Sequence, residues 1–132
     1  MVSLSMMVTC GSGLVSATNS DCSIGGEERM EGLHPILVSG LRILACKHPI
    51  TVVEGVRSKE RQRALYEAGK SWTMNSRHLT GNAVDVYLGT WELEPYERLC
   101  ESWKSIEDDV VCGCDWAVKD CVHFEIVKIP EK

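Results

Sequence analysis

Hydrophobic and polar positions along this chain follow two periods, and the two periods separate predicted helices from predicted strands. Apolar residues recur at helical spacing from His34-Pro35 to Cys46 and again within 94–107. A shorter helix is predicted over 59–68, where Ser58 offers an N-cap and Gly69 follows the last periodic residue. The pattern therefore predicts three helices.

Runs rich in β-branched residues predict four strands. The first runs from Ile50 to Val56, the second from Asn82 to Leu88, and two shorter ones lie at Val110-Val111 and Val122 to Val127. A helix comes first, the other elements are interspersed, and the last two strands lie close together in sequence. This order predicts an α+β fold in which a small antiparallel sheet is covered by helices on one side.

Length and charge limit the classes of function. The chain has 132 residues, the usual size of one domain. Glycines in the first 26 residues predict a flexible leader over 1–26, followed by a single folded domain over 27–132. A net charge of −5 supplies no basic field for a polyanion, so nucleic-acid binding is not expected.

The first residues do not predict a membrane anchor or an export signal. No apolar run approaches the roughly 18 residues that cross a bilayer, so stable membrane insertion is not expected. The leader also lacks the basic region and the small-residue cleavage site of a secretory signal peptide. We therefore expect no export signal.

The cysteines leave alternatives open. Seven are present, an odd number, and no CxxC pair occurs; Cys112 and Cys114 form only a CxC. The favoured interpretation is small buried thiols in a protein made in a reducing cytosol. Disulfides or a cysteine-bound metal are the alternatives.

Candidate chemistry is concentrated in two places. His78 and Asp85 lie seven residues apart across a glycine turn at Gly81, and Asp85 falls on a predicted strand that is otherwise apolar on one face. A buried carboxylate is costly without a partner. On the last predicted strand, His123 and Glu125 face away from the core. His78, Asp85 and His123 together make a two-nitrogen, one-oxygen set, which is typical of a catalytic zinc that keeps a fourth position open for water.

These residues belong to longer strings that resemble a known family. S-R-H-L-T-G-N-A-V-D at 76–85, with D-C-V-H-F-E at 120–125, resembles the zinc peptidases of the D-Ala-D-Ala carboxypeptidase/VanY-type family (peptidase family M15). Other segments resemble its branch of phage L-alanyl-D-glutamate endopeptidases: E-E-R-M-E-G-L-H-P at 27–35, V-V-E-G-V-R-S-K-E-R-Q-R-A-L-Y-E-A-G-K-S-W at 52–72 and G-C-D-W at 113–116. The resemblance runs from Glu27 to Ile126 and implies a Hedgehog/DD-peptidase-like zinc fold.

The resemblance also implies roles for individual residues. It makes His78, Asp85 and His123 the ligands of one Zn²⁺ per chain. Asp120 matches the catalytic acid/base carboxylate, and Arg57 matches the arginine that contacts the substrate carbonyl or its developing oxyanion.

The resemblance also makes Ser76 and Gln62 positions that border the substrate cleft. Glu125, which follows His123 on the same strand face, is a rival base by its position, but we expect it to orient a histidine ring instead. One tension remains: an unbroken strand would put Asp120 and His123 on opposite faces, so the strand is expected to begin after Asp120 or a turn is expected at Lys119–Cys121.

The function implied by the resemblance is hydrolysis of the L-Ala–D-Glu bond of peptidoglycan stem peptides by a monomeric phage endolysin during host cell lysis. It would reside in the host cytoplasm before lysis and act on the wall in the periplasm. Two alternatives are a D-Ala-D-Ala carboxypeptidase or dipeptidase with the same metal chemistry, and a non-catalytic, Hedgehog-like zinc binding module. The stretch between Asp85 and Trp116 is shorter than in many members of the family, so the resemblance does not fix which bond of the substrate is cut.

Overall fold

A computed structural model describes residues 21–127 of the chain. Its helices are α1 (Pro35–Leu44), α2 (Lys59–Glu67) and α3 (Leu93–Ile106). Its strands are β1 (Thr51–Glu54), β2 (Ala83–Tyr87), β3 (Val110–Cys112) and β4 (His123–Ile126), and short 3₁₀ turns lie at Glu27–Met30, Arg77–Thr80 and Gly113–Asp115. The predicted helices and strands are therefore all present, with ends that differ by a few residues.

The four strands form one antiparallel sheet in the order β1-β2-β4-β3. In the register of the central pair, Asp85 lies directly opposite His123, and Val84 lies opposite Phe124. At the edge, the pairing of β1 with β2 shifts between Val52 and Glu54. The central register brings two predicted metal ligands together across neighbouring strands.

One face of the sheet carries the core. Val84, Val86 and Phe124 are completely buried there, and the ring of Trp103 stacks on Phe124 with centroids 5.1 Å apart. Helices α1 and α3 pack on each other and against this face. The α+β class with a helix-covered antiparallel sheet is thus confirmed.

Helix α2 takes a different place from the other two. Gln62 is its one buried residue, whereas Leu65 borders an open cleft. Ser58 caps the helix as predicted, since its Oγ accepts a hydrogen bond from the Arg61 amide at 3.0 Å. Among the described helices, none combines the length and apolar character needed to cross a bilayer.

The packed region begins earlier than the predicted start near Glu27. Ile24 is buried in the core, Gly25 pairs with Thr51 beside β1, and Cys22 is bonded to Cys46. These contacts extend the sheet edge and were not visible in a glycine-rich stretch that indicated only a loop. Residues 1–20, most of the predicted leader, lie outside the described residues.

Candidate active site

His78 lies in the 3₁₀ turn that precedes β2. The Oγ of Ser76 accepts a hydrogen bond from the His78 amide at 3.1 Å, and Gly81 ends the turn with a φ of 78°. A side chain at Gly81 would also collide with the carbonyl of Gly32, because its Cβ would lie 2.4 Å from that oxygen. The glycine turn inferred from the sequence therefore exists and delivers a fully buried imidazole.

The three predicted ligands converge on one point. Nε2 of His78 lies 3.3 Å from Oδ1 of Asp85, and Nδ1 of His123 lies 3.1 Å from the same oxygen. The candidate ligand atoms all lie within 4.8 Å of one another. Three donor atoms at this spacing can share a single ion.

Each imidazole has an inner nitrogen that faces Asp85 and an outer nitrogen that faces away from it. The hydrogen bond of the outer nitrogen determines whether the inner nitrogen of the neutral ring carries a proton. Nδ1 of His78 contacts the carbonyl of Gly55 at 2.8 Å, and Nε2 of His123 contacts a carboxylate oxygen of Glu125 at 2.7 Å. Both partners only accept hydrogen bonds, so these outer nitrogens carry the protons. In their neutral form, the rings therefore turn unprotonated nitrogens toward Asp85.

That arrangement fits a cation. Facing lone pairs on two imidazoles and a carboxylate repel one another, and Nε2 of His78 has no hydrogen-bond partner among residues 21–127 although it is buried. A divalent ion between them satisfies all three, and nitrogen and oxygen donors suit zinc. The donor set thus fits the metal expected from the sequence.

Without an ion, the contacts among these residues shift the pKa values of Asp85 and His123. Burial alone would raise the pKa of Asp85, but contacts from His123 and His78 hold it well below its usual range. Burial would likewise lower the pKa of His123, yet the hydrogen bonds to Asp85 and Glu125 outweigh it and raise that pKa to about 9. A metal ion would therefore compete with a proton on His123.

Asp120 lies beside this group, just before β4. The Asp120 amide donates to the Gly113 carbonyl at 2.9 Å, and its own carbonyl accepts from the His123 amide at 3.0 Å. Burial and the charge of Asp85 raise its pKa, against the opposing effect of His123, His78 and Arg57. The strand begins after Asp120, so the alternation of strand faces does not apply to it. Asp120 can therefore line the same cleft as His123.

Arg57 lies at the end of the β1 segment with most of its guanidinium already engaged. Nε donates to Glu54 at 2.8 Å, Nη1 donates to Gln62 at 2.8 Å, and Nη2 lies 3.8 Å from Oδ2 of Asp85. Arg57 therefore pairs with Glu54 and also borders the cleft.

The remaining predicted residues differ in position. Ser76 lines the cleft, as does Glu125, whose contact with His123 is the one expected for orienting that ring. Glu125 also pairs with Arg77 at 3.1 Å. Gln62, by contrast, is completely buried and does not line the cleft. Its position therefore does not allow direct contact with a substrate.

The cleft above these residues has a volume of about 720 Å³. Trp116 forms part of its wall, with its ring centroid 5.1 Å from that of His123. The segment 70–73 also lines the cleft, and the sequence did not mark it as functional. Its Trp72 is 77% exposed, and an exposed tryptophan in a loop was the signal that could have drawn attention to it.

The favoured interpretation of the cysteines was wrong for the described residues. Six cysteines form three disulfides there: Cys22–Cys46, Cys100–Cys112 and Cys114–Cys121. Each pair is brought together by the tertiary fold, which spacing alone does not show. Cys10 lies outside the described residues.

The Cys114–Cys121 disulfide borders the candidate site. It closes the loop that carries Trp116 and Asp120 into the cleft. The two ends of that loop touch closely, because a Cβ on Gly113 would lie 2.0 Å from the Asp120 carbonyl oxygen. The position of Asp120 therefore depends on this closed loop.

Two histidines and one carboxylate around one point, with a second carboxylate lining the same open cleft, are typical of a metal-dependent hydrolase. No protein-family model matches the chain, and no curated protein matches it. Among solved structures, the fold is similar to the crystal structure of the L-Ala D-Glu endopeptidase ChiX of Serratia marcescens. The TM-score is 0.72 at 33% sequence identity, over 85% of this chain and 96% of that one.

At that identity and coverage the relationship extends beyond the fold. The chain belongs to the peptidase family that includes ChiX, and it is a hydrolase.

Zinc binding is expected to release a proton from His123. The pKa of His123 is raised to about 9 in the metal-free protein, so the ring is charged near neutral pH and neutral only above that value. A ligating imidazole is neutral, so we expect His123 to contribute about one released proton per zinc near pH 7, a contribution that disappears above about pH 10. Calorimetric titration in buffers of different ionisation enthalpy measures this release.

The Glu125→Gln variant supplies the control for that titration. It removes one of the two carboxylates that raise the pKa of His123, so the pH above which His123 no longer releases a proton should be lower. Zinc binding that releases no proton near pH 7 in the unaltered protein would contradict the geometry described.

Loss of the Cys114–Cys121 disulfide is expected to impair catalysis more than loss of Cys22–Cys46. The expected losses of stability have the opposite order. From chain entropy alone, the disulfide that closes the shorter loop stabilises the protein by about 2.5 kcal/mol, and the one that closes the longer loop by about 3.5 kcal/mol. Cys22 and Cys46 do not line the cleft. We therefore expect Cys114→Ser/Cys121→Ser to lower kcat about tenfold or more, because the loop bearing Asp120 is freed.

The measurement is turnover by both double variants, with melting curves and zinc content determined in parallel. Equal losses of activity in the two variants, or losses that follow the melting temperatures, would show that the disulfide acts on stability alone.

Proposed function

We propose that this protein is a zinc-dependent peptidoglycan peptidase that hydrolyses the L-Ala–D-Glu bond of stem peptides. The observation that carries the proposal is the convergence of His78, Asp85 and His123, with Asp120 beside them. ChiX, whose fold it shares, is an L-Ala D-Glu endopeptidase, and this supports peptidoglycan as the substrate.

The residues of the cleft have distinct roles in this reaction. Zinc, held by His78, Asp85 and His123, would supply a Lewis acid that polarises a carbonyl and activates water. The raised pKa of Asp120 suits a group that accepts a proton from water and later delivers it to the leaving amine. Arg57 directs Nη2 toward the site, where its charge stabilises a developing oxyanion.

Two residues keep the histidines ready for this role. The Gly55 carbonyl and the Glu125 carboxylate each hold one imidazole by its outer nitrogen, which fixes both the tautomer and the ring plane. Glu125 is occupied on both sides, by His123 and by Arg77, so it is poorly placed to take up protons during turnover.

Cellular role and assembly belong to the proposal as well. We infer a monomeric endolysin that serves phage release and acts on the wall in the periplasm. Three disulfides support the oxidising side of the membrane as the place of action, since disulfides persist in oxidising compartments. They count against a mature pool in the host cytoplasm, which the sequence had led us to expect.

Mass spectrometry of digested muropeptides tests the activity. The purified protein should separate L-Ala from D-Glu, and a chelator should stop the reaction until zinc is restored. Release of free D-Ala would identify a D-Ala-D-Ala carboxypeptidase instead. Intact muropeptides after incubation with the zinc-loaded protein would favour a binding module of the Hedgehog type.

Replacing Asp120 by Asn is expected to lower kcat by about 10²- to 10⁴-fold, the usual contribution of a general acid/base. Zinc should remain bound at one ion per chain, because the three ligands are intact. Glu125→Gln is the comparison: its amide oxygen can still accept the hydrogen bond from His123, so it should lose less turnover than Asp120→Asn. A larger loss in Glu125→Gln with zinc still bound would move the acid/base role to that residue.

A further inference from the structure

Gln62 is completely buried, yet it carries a polar amide group whose oxygen and nitrogen contact different parts of the structure. The amide oxygen lies 2.8 Å from Nη1 of Arg57. The amide nitrogen lies 2.6 Å from the carbonyl oxygen of Thr73 and 2.8 Å from Oγ of Ser71. One side chain thus joins the arginine of the candidate site to the segment Ser71–Thr73.

The orientation of this amide is fixed by its partners. A guanidinium only donates hydrogen bonds and a backbone carbonyl only accepts them. The oxygen of Gln62 therefore faces Arg57 and its nitrogen faces Thr73, and a flipped amide would lose both contacts. Gln62 can hold Arg57 only while the segment Ser71–Thr73 stays in place.

At the arginine end, two contacts define how the guanidinium points. Glu54 holds Nε at 2.8 Å and Gln62 holds Nη1, which leaves Nη2 as the nitrogen that faces Asp85. Glu54 is shared with Arg61, an exposed residue, whereas Gln62 is enclosed. The enclosed contact is the more rigid of the two.

At the other end, the segment forms one wall of the cleft. Ser71, Trp72 and Thr73 all line it, and Trp72 is 77% exposed. A substrate that lies in the cleft would therefore meet the same segment to which Gln62 donates.

The glutamine contributes to stability, because an apolar side chain would leave Nη1 of Arg57 and the Thr73 carbonyl without this partner. What a satisfied polar network adds is a defined geometry. The network at Gln62 defines the geometry of Arg57.

We propose that Gln62 is a positioning residue, which aims the guanidinium of Arg57 at the reacting carbonyl and couples that aim to the cleft wall at Trp72. The proposal rests on the proposed peptidase function, in which Arg57 contacts the substrate.

A double-mutant cycle tests the coupling. Gln62→Leu is expected to lower kcat about 10- to 100-fold with little change in KM, because a misaimed catalytic group costs turnover. In an Arg57→Lys background, whose side chain lacks the fork that Gln62 holds, the same change should have little further effect. Equal losses in both backgrounds would overturn the proposal.

A conservative variant and a surface control complete the series. Gln62→Glu keeps an oxygen for Nη1 but turns its second oxygen toward the Thr73 carbonyl, so it should recover the lost kcat only in part. It remains informative if Gln62→Leu does not fold. Arg63→Ala changes an exposed neighbour on α2 and should leave kcat unchanged. A Gln62→Glu enzyme that folds, binds zinc and is no more active than Gln62→Leu would also contradict the proposal.

A readout independent of activity separates this proposal from the proposed function. The order parameter of the Arg57 Nε–H group, from NMR relaxation of the zinc-loaded protein, should fall in Gln62→Leu and stay unchanged in Arg63→Ala. An unchanged order parameter in Gln62→Leu overturns the positioning role. Wild-type protein that leaves peptidoglycan intact refutes the peptidase function instead, while the order parameter still decides whether Gln62 holds Arg57.

Discussion

The candidate site depends on one electrostatic constraint, which is that two imidazole nitrogens and a carboxylate oxygen face one another inside the protein. The outer nitrogen of each ring is committed to Gly55 or Glu125, so the inner nitrogen is the one free of a proton when the ring is neutral. Only a cation or added protons relieve the repulsion between such groups. The surrounding structure holds them at ion-sharing distance despite that cost.

The sheet supplies the rigidity that this constraint demands. Asp85 and His123 lie opposite each other on paired central strands, and the opposite face of the same strands is packed under the helices. A slip of register by one residue would turn Asp85 into the core and Val84 toward the cleft. The hydrophobic core therefore selects the register that brings the ligands together.

Local patterns were enough to predict the elements and the turn at Gly81, because strand alternation and turn chemistry are encoded over a few residues. The set His78, Asp85 and His123 was predicted from residue types and from longer strings that resemble known peptidases, and the structure brings the three together. What the sequence did not show depends on contacts between distant segments. The pairing of Cys114 with Cys121 requires a loop that folds back on itself, and the burial of Gln62 requires the segment around Trp72 to close over α2. Periodicity carries no information about either closure.

Different parts of the structure position the candidate metal ligands and the other residues of the site. The sheet and the turn before it hold the metal ligands, whereas Arg57 follows one strand and Asp120 precedes another, where the ladder no longer fixes the backbone. A buried amide steadies the first and a disulfide-closed loop steadies the second. In the proposed peptidase, metal binding and catalytic alignment therefore depend on separate parts of the structure, so a change that disturbs the alignment of Arg57 or Asp120 is expected to leave zinc binding intact.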